Sequence, residues 1–183
     1  MSFIGGSNLI DANLIYKKAG VKEGMQVADL GCGSLAYFSF PLLKIVGKRG
    51  KVYAVDILKT ILETIDKKIR IENIENMETV WSNLEIFKAT NIPNESLDVS
   101  FLINTLHLSK KRTDILRETI RMMKKNSKLL VADWKGIQLP FGPPLEDRVN
   151  EELLIKSAEK LGLRLDDEFS TGMYHFGLLF TKL

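Results

Sequence analysis

The sequence predicts an α/β fold with a mainly parallel sheet, helices on its faces and an antiparallel β-hairpin at the C-terminus. Short apolar runs that suit buried strands alternate with helical patterns along most of the chain. Glycines follow the first apolar run, where a parallel strand would turn into its crossover helix. The tail departs from this alternation and holds two strand-like runs in succession, which favours a hairpin.

The first βαβ unit is predicted between residues 26 and 57. Gln26–Leu30 and Lys51–Ile57 are apolar runs, rich in Val and Ala, that end at turn or acidic residues, as buried parallel strands do. Phe38–Val46 is the predicted crossover helix, in which Pro41 is acceptable only because it falls in the first turn. An additional helix is expected before this unit, over Asp11–Ala19.

The same patterns predict the elements that follow. Helices are expected at Leu58–Ile71, Asp114–Met123 and Glu146–Leu161, and strands at Glu78–Trp81, Leu97–Ile103, Lys128–Trp134, Arg164–Phe169 and Tyr174–Lys182. The last two strands are separated by only Ser170–Met173, a connection short enough for a hairpin. An antiparallel end is therefore predicted for the sheet.

Length and composition indicate one domain over residues 1–183, with residues 1–24 as an N-terminal helical segment that caps the site. A content of 45% hydrophobic residues suffices for a continuous core, and 27% charged residues spread along the chain argue against a disordered tail. The 26 basic and 23 acidic residues nearly balance. A nucleic-acid partner is therefore not expected, and a small-molecule substrate is preferred. A homo-oligomer remains open.

Cellular location is predicted from cysteine use and from the N-terminus. Cys32 is the only cysteine, so an internal disulfide is impossible and a reducing compartment is expected. The opening MSFIGGSNLI lacks the basic start and long apolar stretch of a signal peptide, and no later run reaches transmembrane length. We therefore expect a cytoplasmic protein without membrane association.

Two features at the ends of the first two predicted strands indicate a nucleotide-like ligand. Gly31 and Gly33 lie at the end of the first strand, where a backbone without side chains approaches a ligand closely and a helix N-terminus offers free N–H groups. Asp56 ends the second strand, and at the shared carboxyl edge its carboxylate would accept hydrogen bonds from ribose hydroxyls. The alternatives are a glycine turn that serves packing and an aspartate that caps the next helix.

These motifs resemble those of the class I S-adenosylmethionine-dependent methyltransferases. Val27–Gly33 followed by Val52–Asp56 is similar to their glycine motif and second-strand acidic residue. Ala89–Pro93 resembles their adenine-side loop, and Asn104–His107 the strand end beside the methionine moiety. Within the class, the sequence is most similar to the small bacterial and archaeal enzymes related to quinone-biosynthesis methyltransferases. The resemblance implies a Rossmann-like seven-stranded sheet and S-adenosylmethionine as cofactor.

The resemblance also implies which residues bind the cofactor. They are Asp29, Gly31, Cys32, Gly33, Tyr37, Asp56, Ile57, Lys88, Ala89, Thr90 and Asn104. Asp29 and the glycines would face the methionine part, Asp56 the ribose, and Ile57 and Ala89 the adenine. An aromatic side chain such as Tyr37 could face the positive sulfonium.

Two positions depart from the family pattern. Ala36 is the only small residue where relatives usually carry another glycine, and Lys88 stands where they often carry an acidic residue. A lysine cannot accept a hydrogen bond from the adenine amino group. The adenine is then held by backbone groups or by Thr90, or the cofactor binds more weakly, or the loop has a different register.

The acceptor side offers two candidate catalytic residues. Methyl transfer is a direct in-line displacement, so alignment of the reactants is the main task of the protein. His107 and Asp133 end the fourth and fifth strands and could serve as a general base where the acceptor carries a proton. His175 on an apolar strand is interpreted as a satisfied structural histidine. No metal site is expected, because the two histidines lie on separate strands without a cysteine nearby.

Two other functions fit parts of the same pattern. A nicotinamide-dependent oxidoreductase would use Gly31, Gly33 and Ala36 as a relaxed dinucleotide fingerprint, with Asp56 on the ribose. Asp29, two places before the first glycine, argues against it. A non-catalytic S-adenosylmethionine-binding protein would tolerate the missing glycine and Lys88.

Overall fold

One mixed sheet of seven strands organises the computed structural model, which describes residues 9–183. The strands are β1 (Gln26–Leu30), β2 (Lys51–Asp56), β3 (Met77–Trp81), β4 (Leu97–Ile103), β5 (Met123–Trp134), β6 (Leu163–Ser170) and β7 (His175–Lys182). Their order is β3-β2-β1-β4-β5-β7-β6. The first five are parallel, whereas β7 lies antiparallel between β5 and β6. The predicted fold class, including the C-terminal antiparallel hairpin, is confirmed.

Within residues 9–183, five α-helices cover the two faces of this sheet. They are α1 (Ala12–Ala19), α2 (Ser39–Val46), α3 (Lys59–Ile71), α4 (Arg112–Met122) and α5 (Glu151–Lys160). On one face, α1 and α2 pack against β-strand side chains such as Val27 and Phe101. On the other face, α4 and α5 pack against side chains such as Val131 and Phe180. The chain reverses its direction of winding between β1 and β4, which is where open α/β sheets bind ligands.

The N-terminal helix of the cap segment is a layer of the core. Ile15, Tyr16 and Ala19 of α1 are buried in the same cluster as β4 and β5 residues. Asp11 accepts a hydrogen bond from the Leu14 N–H at 3.1 Å and so caps the helix, as its position in the sequence suggests. Residues 1–8 of the predicted cap segment lie outside the described part of the chain.

The predicted start of the last helix at Glu146 was wrong. Residues Leu145–Asp147 form a separate 3₁₀ turn, and α5 begins only at Glu151, where the Asn150 side chain accepts from the Leu153 N–H at 2.9 Å. The reason is tertiary: the buried Arg148 side chain turns back to carbonyl groups of residues 135–143, which an uninterrupted helix would not allow. Among the described residues, no helix combines the length and apolarity needed to cross a membrane.

Candidate active site

A cavity of about 410 Å³ opens at the carboxyl ends of β1, β2, β3 and β4. This volume lies within the range of small-molecule and cofactor sites. The side chains and backbone around it come from four connections and include Gly31, Cys32, Gly33, Phe38, Asp56, Ile57, Leu58, Ser82, Asn83, Leu84, Ile103, Asn104 and Thr105. The cavity therefore lies where the strand order predicts a ligand.

Glycine is required at residue 31 for both conformation and space. Gly31 has a φ of 88°, and a Cβ built there would lie only 2.6 Å from Thr105 Oγ1. The Thr105 hydroxyl in turn donates to the Leu30 carbonyl at 2.9 Å, so β4 and the glycine loop are held tightly together. Gly33 also has a positive φ of 66°, but the space around it is open. The loop thus presents bare backbone to the cavity.

Asp56 joins the glycine loop to the start of α3. Its carboxylate accepts from the Gly33 N–H at 3.0 Å and from the Leu58 N–H at 2.9 Å. The residue is only 8% exposed and lines the cavity. A carboxylate has about four lone-pair sites. The two backbone donors fix the orientation of the carboxylate and leave acceptor capacity for two ribose hydroxyls.

Asp29 lies behind the glycine loop and does not line the cavity. The Ser39 hydroxyl at the start of α2 donates to its carboxylate at 2.5 Å. Burial raises the pKa of Asp29 to about 6; the hydrogen bond from Ser39 opposes this rise and the nearby Asp56 charge adds to it. Asp29 is therefore an acid that titrates near neutrality beneath the loop.

The connection after β3 contributes residues that the sequence interpretation missed. Ser82, Asn83 and Leu84 line the cavity, whereas Lys88, Ala89 and Thr90 do not. The Lys88 and Thr90 N–H groups instead donate to the buried Glu118 carboxylate of α4, at 2.7 and 3.0 Å. The position of residues 82–84 directly after a predicted parallel strand was the signal that could have identified them.

Asn104 combines an uncommon backbone conformation with a buried side-chain oxygen at the cavity. Its φ is 53°, an uncommon conformation that asparagine tolerates, and it follows β4 at the rim of the cavity. Its side-chain oxygen is buried and has no hydrogen-bond partner among residues 9–183. Buried acceptors are normally satisfied. This oxygen is therefore suited to a donor group of a ligand such as an ammonium.

His107 and Asp133 form a hydrogen-bonded pair beside the cavity. His107 lies in a 3₁₀ turn after β4, between the cavity-lining Thr105 and Leu108. Its Nδ1 is 2.8 Å from Asp133 Oδ1, and its backbone N–H donates to Asp133 Oδ2 at 3.1 Å. Asp133 is fully buried near the end of β5. Two strand ends that are distant in the sequence thus bring together an imidazole and an orienting carboxylate.

The structure brings together about half of the predicted cofactor-binding residues. Gly31, Cys32, Gly33, Asp56, Ile57 and Asn104 line the cavity. Asp29 lies behind it, and Tyr37 packs edge-on against the cavity-lining Phe38 with ring centroids 5.0 Å apart. Burial raises the pKa of the Cys32 thiol well above its ordinary value, so this cysteine is a neutral wall residue rather than a nucleophile.

The fold and the position of this cavity are those of the class I S-adenosylmethionine-dependent methyltransferases. A family model described as "Methyltransferase domain" matches residues 21–163, and the chain belongs to that family. The cavity fits the cofactor of this class, since it offers a carboxylate for the ribose, a bare glycine loop and the unpaired Asn104 oxygen. S-Adenosylmethionine is thus the cofactor, and the family match disfavours the nicotinamide-dependent alternative.

Individual relatives agree with this assignment. The crystal structure of an S-adenosylmethionine-dependent methyltransferase from Aquifex aeolicus is 29% identical, with a TM-score of 0.86 over 97% of this chain and 93% of that chain. The ubiquinone/menaquinone biosynthesis C-methyltransferase of Francisella tularensis subsp. novicida is 29% identical over 148 residues, which are 79% of this chain and 55% of that protein. The demethylmenaquinone methyltransferase of Lactococcus lactis is 28% identical over 127 residues, 68% of this chain and 48% of that protein. The chain spans about half the length of these curated relatives.

Proposed function

We propose that this protein methylates a small-molecule acceptor and that His107 removes a proton from the acceptor atom. The observation that carries the proposal is the 2.8 Å contact between His107 Nδ1 and the buried Asp133 carboxylate, beside the cofactor cavity. An imidazole oriented by a carboxylate is a common arrangement for a general base. A reaction that needs only alignment of the reactants would not require a buried carboxylate to orient this imidazole.

The hydrogen bonds of the pair define the role of each nitrogen. Asp133 accepts from His107 Nδ1–H, and the carboxylate is itself held by the Trp134 N–H at 2.8 Å. This assigns the proton to Nδ1 and leaves Nε2 as the base. When bound, S-adenosylmethionine supplies an electrophilic methyl group on a positively charged sulfur. His107 takes the proton of the acceptor, whose freed electron pair forms the bond to the methyl carbon as the carbon–sulfur bond breaks.

Binding of the cofactor is assigned to residues around the cavity. Asp56 would accept from both ribose hydroxyls, and Asn104 Oδ1 from the ammonium of the methionine part. We assign the adenine to residues 82–84, with the Asn83 amide as the group closest in kind to the acidic acceptor of relatives. In this assignment Lys88 has no part in adenine binding, because its backbone N–H donates to the Glu118 carboxylate and the residue does not line the cavity.

A small acceptor is supported by two features. The relatives from Francisella and Lactococcus are named for quinone biosynthesis, hence for small molecules. The connection from residue 135 to residue 148 carries the exposed apolar side chains of Ile137, Phe141 and Leu145, which suits a partly apolar substrate better than a nucleic acid. Demethylated quinols are therefore the first compounds to test.

The test combines binding with transfer. Calorimetry should show binding of S-adenosylmethionine and of its demethylated product, and the cofactor with an isotope-labelled methyl group should label at least one compound in a metabolite extract that includes demethylated quinols. Cofactor binding without any labelled product would favour the non-catalytic alternative. Labelling of protein or RNA in place of metabolites would overturn the choice of acceptor.

A further inference from the structure

His175 is a buried imidazole without a hydrogen-bond partner in the part of the chain that the structure describes. The side chain is fully buried at the start of β7, and neither Nδ1 nor Nε2 forms a hydrogen bond to any group within residues 9–183. This differs from the satisfied structural histidine expected from the sequence. A buried polar group that stays unpaired destabilises the fold, so two such nitrogens on one ring point to a role outside the stability of the protein.

The imidazole lies in a layer of aromatic rings on the acceptor side. His175 pairs with Trp134 across β5 and β7, and their ring centroids are 4.2 Å apart. Phe141 packs edge-on against Trp134 at 6.1 Å and against Tyr174 at 5.0 Å. Trp134 directly follows Asp133, so this layer adjoins the pair of His107 and Asp133, in which His107 is the proposed general base. Flat apolar rings with one polar group at their base form a surface for a flat ring that carries a polar substituent.

The charge state of His175 suits recognition of a neutral group. The pKa of His175 is lowered to about 4, chiefly by burial; the Asp133 charge opposes this change, and His107, Lys135 and Arg148 contribute to it. The ring is therefore neutral at physiological pH. A neutral imidazole has one donor and one acceptor nitrogen, and so can bind a hydroxyl or a carbonyl.

The backbone of the connection that covers this layer is held by Arg148, whereas the side chain at its tip is exposed. Arg148 donates to the carbonyls of Lys135 at 3.0 Å, Pro143 at 3.1 Å and Phe141 at 3.3 Å. Phe141, at the tip, is 43% exposed. A rotation of the Phe141 side chain would uncover the Trp134 ring and leave the Arg148 contacts in place, because those contacts are made with backbone carbonyls.

We propose that His175 is an acceptor-recognition residue, which hydrogen-bonds to a hydroxyl or carbonyl on a flat ring inserted between Trp134 and Phe141. The inference rests on the proposed function, because it assumes that the acceptor binds beside His107 and Asp133. Its chemistry is separate, since His175 positions the acceptor and takes no part in proton transfer.

The binding test uses 1,4-dihydroxynaphthalene under argon, with the protein saturated by S-adenosylhomocysteine. Replacing His175 by Phe keeps a ring of similar size and removes both nitrogens, and the affinity for this probe should fall about five- to tenfold, as for one lost hydrogen bond. His175→Gln should recover part of the loss. A control probe without oxygen substituents, naphthalene, should bind the wild type and the Phe variant with similar affinity.

A spectroscopic measurement separates this role from a structural one. The chain has two histidines, so labelled histidine gives two imidazole signals by NMR, and His175→Phe identifies the signal of residue 175. Addition of the dihydroxy probe should move that signal, also in His107→Gln, which lacks the proposed base. The melting temperature of His175→Phe should equal or exceed that of the wild type, because two unpaired nitrogens are removed.

Several results would overturn the assignment: no binding of the dihydroxy probe to the wild type, equal affinity in His175→Phe, or an unmoved His175 signal. A lower melting temperature in that variant with unchanged probe affinity would make His175 a structural residue. None of these readouts requires methyl transfer. Failure of the labelling experiment would therefore reject the proposed function and leave the binding role of His175 to be decided on its own measurements.

Discussion

The two halves of the carboxyl edge are built in opposite ways. The half at β1, β2 and β4 is an open cavity walled by glycine backbone, by one oriented carboxylate and by the unpaired Asn104 oxygen. The half at β5 and β7 is closed by the rings of Trp134, Phe141 and His175, and it buries Asp133 completely. The first half combines glycine backbone and polar groups with apolar side chains around an open space, whereas the second is filled by packed aromatic rings.

Under the proposed function, the difference separates a cofactor half that the whole class shares from an acceptor half that is particular to this protein. A cofactor common to a whole class can be held by backbone geometry and one acid, which tolerate many sequences. An acceptor must be distinguished from other molecules, and this depends on the shape and polarity of side chains. We therefore expect substitutions in the two halves to change different measured quantities, cofactor affinity in the first and turnover or acceptor affinity in the second.

The largest expected effect concerns His107 and Asp133, the hydrogen-bonded pair on the acceptor side. His107→Ala and Asp133→Asn should each lower turnover by roughly 10²–10⁴, because the base is removed or loses its orientation. The affinity for S-adenosylmethionine should stay within about twofold, measured by calorimetry on the same preparations. Lost cofactor affinity would instead assign these residues to the methionine pocket. It would then contradict the expectation that the two halves affect different measured quantities.

The next effect lies on the cofactor side. Asp56→Ala removes charge-assisted hydrogen bonds worth roughly 1.5–3 kcal/mol, so cofactor affinity should fall about ten- to a hundredfold. Asp66 is a suitable control. Its carboxylate accepts a hydrogen bond from the Thr79 hydroxyl at 2.7 Å, and it does not line the cavity. Asp66→Ala should leave the affinity unchanged. Equal affinity in Asp56→Ala and the wild type would reject the ribose assignment.

A pH dependence should separate Asp29 from Asp56. Folding raises the pKa of Asp29 from 3.8 to about 6, so the acid form is favoured in the fold and its stabilising contribution is lost as the pH rises through about 6. Asp29→Asn should therefore unfold at a higher temperature than the wild type at pH 8. Asp29 does not line the cavity, but its negative charge beneath the glycine loop attracts the positively charged methionine part at longer range, so cofactor affinity should fall by roughly two- to threefold between pH 7 and pH 5 as that charge is lost.

The same titration in Asp29→Asn provides the check on this assignment. Its cofactor affinity should be nearly constant over that pH range, since the amide has no proton to gain. A pH profile identical to that of the wild type would show that another group carries the dependence.

The smallest expected effect tests the adenine side. Asn83→Ala should weaken cofactor binding by about fivefold, as for one neutral hydrogen bond of roughly 1 kcal/mol. Lys88→Asp would tighten binding if this position faced the adenine amino group, but the structure places Lys88 outside the residues that line the cavity. We therefore expect no change for Lys88→Asp. Tighter binding in that variant would restore the register implied by the sequence resemblance.

The loop after β3 shows why part of the site escaped sequence interpretation. The resemblance assigned Lys88–Thr90 to the adenine side, but in the structure the Lys88 and Thr90 N–H groups donate to Glu118 of α4 and these residues do not line the cavity. The carboxylate of Glu118 is itself held by Arg121 at 2.8 Å. A likeness of motif does not reveal this anchoring contact, because the contact is made with a helix that is distant in the sequence.

The strands, the glycine loop and the place of Asp56 followed from the sequence alone. Those features depend on the local pattern of apolar residues and on spacing within one βαβ unit, and such short-range patterns can be identified from the sequence. The contact of His107 with Asp133, the unpaired nitrogens of His175 and the start of α5 at Glu151 were decided by the tertiary structure. Each depends on which strand ends become neighbours and on what Arg148 reaches across a connection, and packing between distant segments determines both.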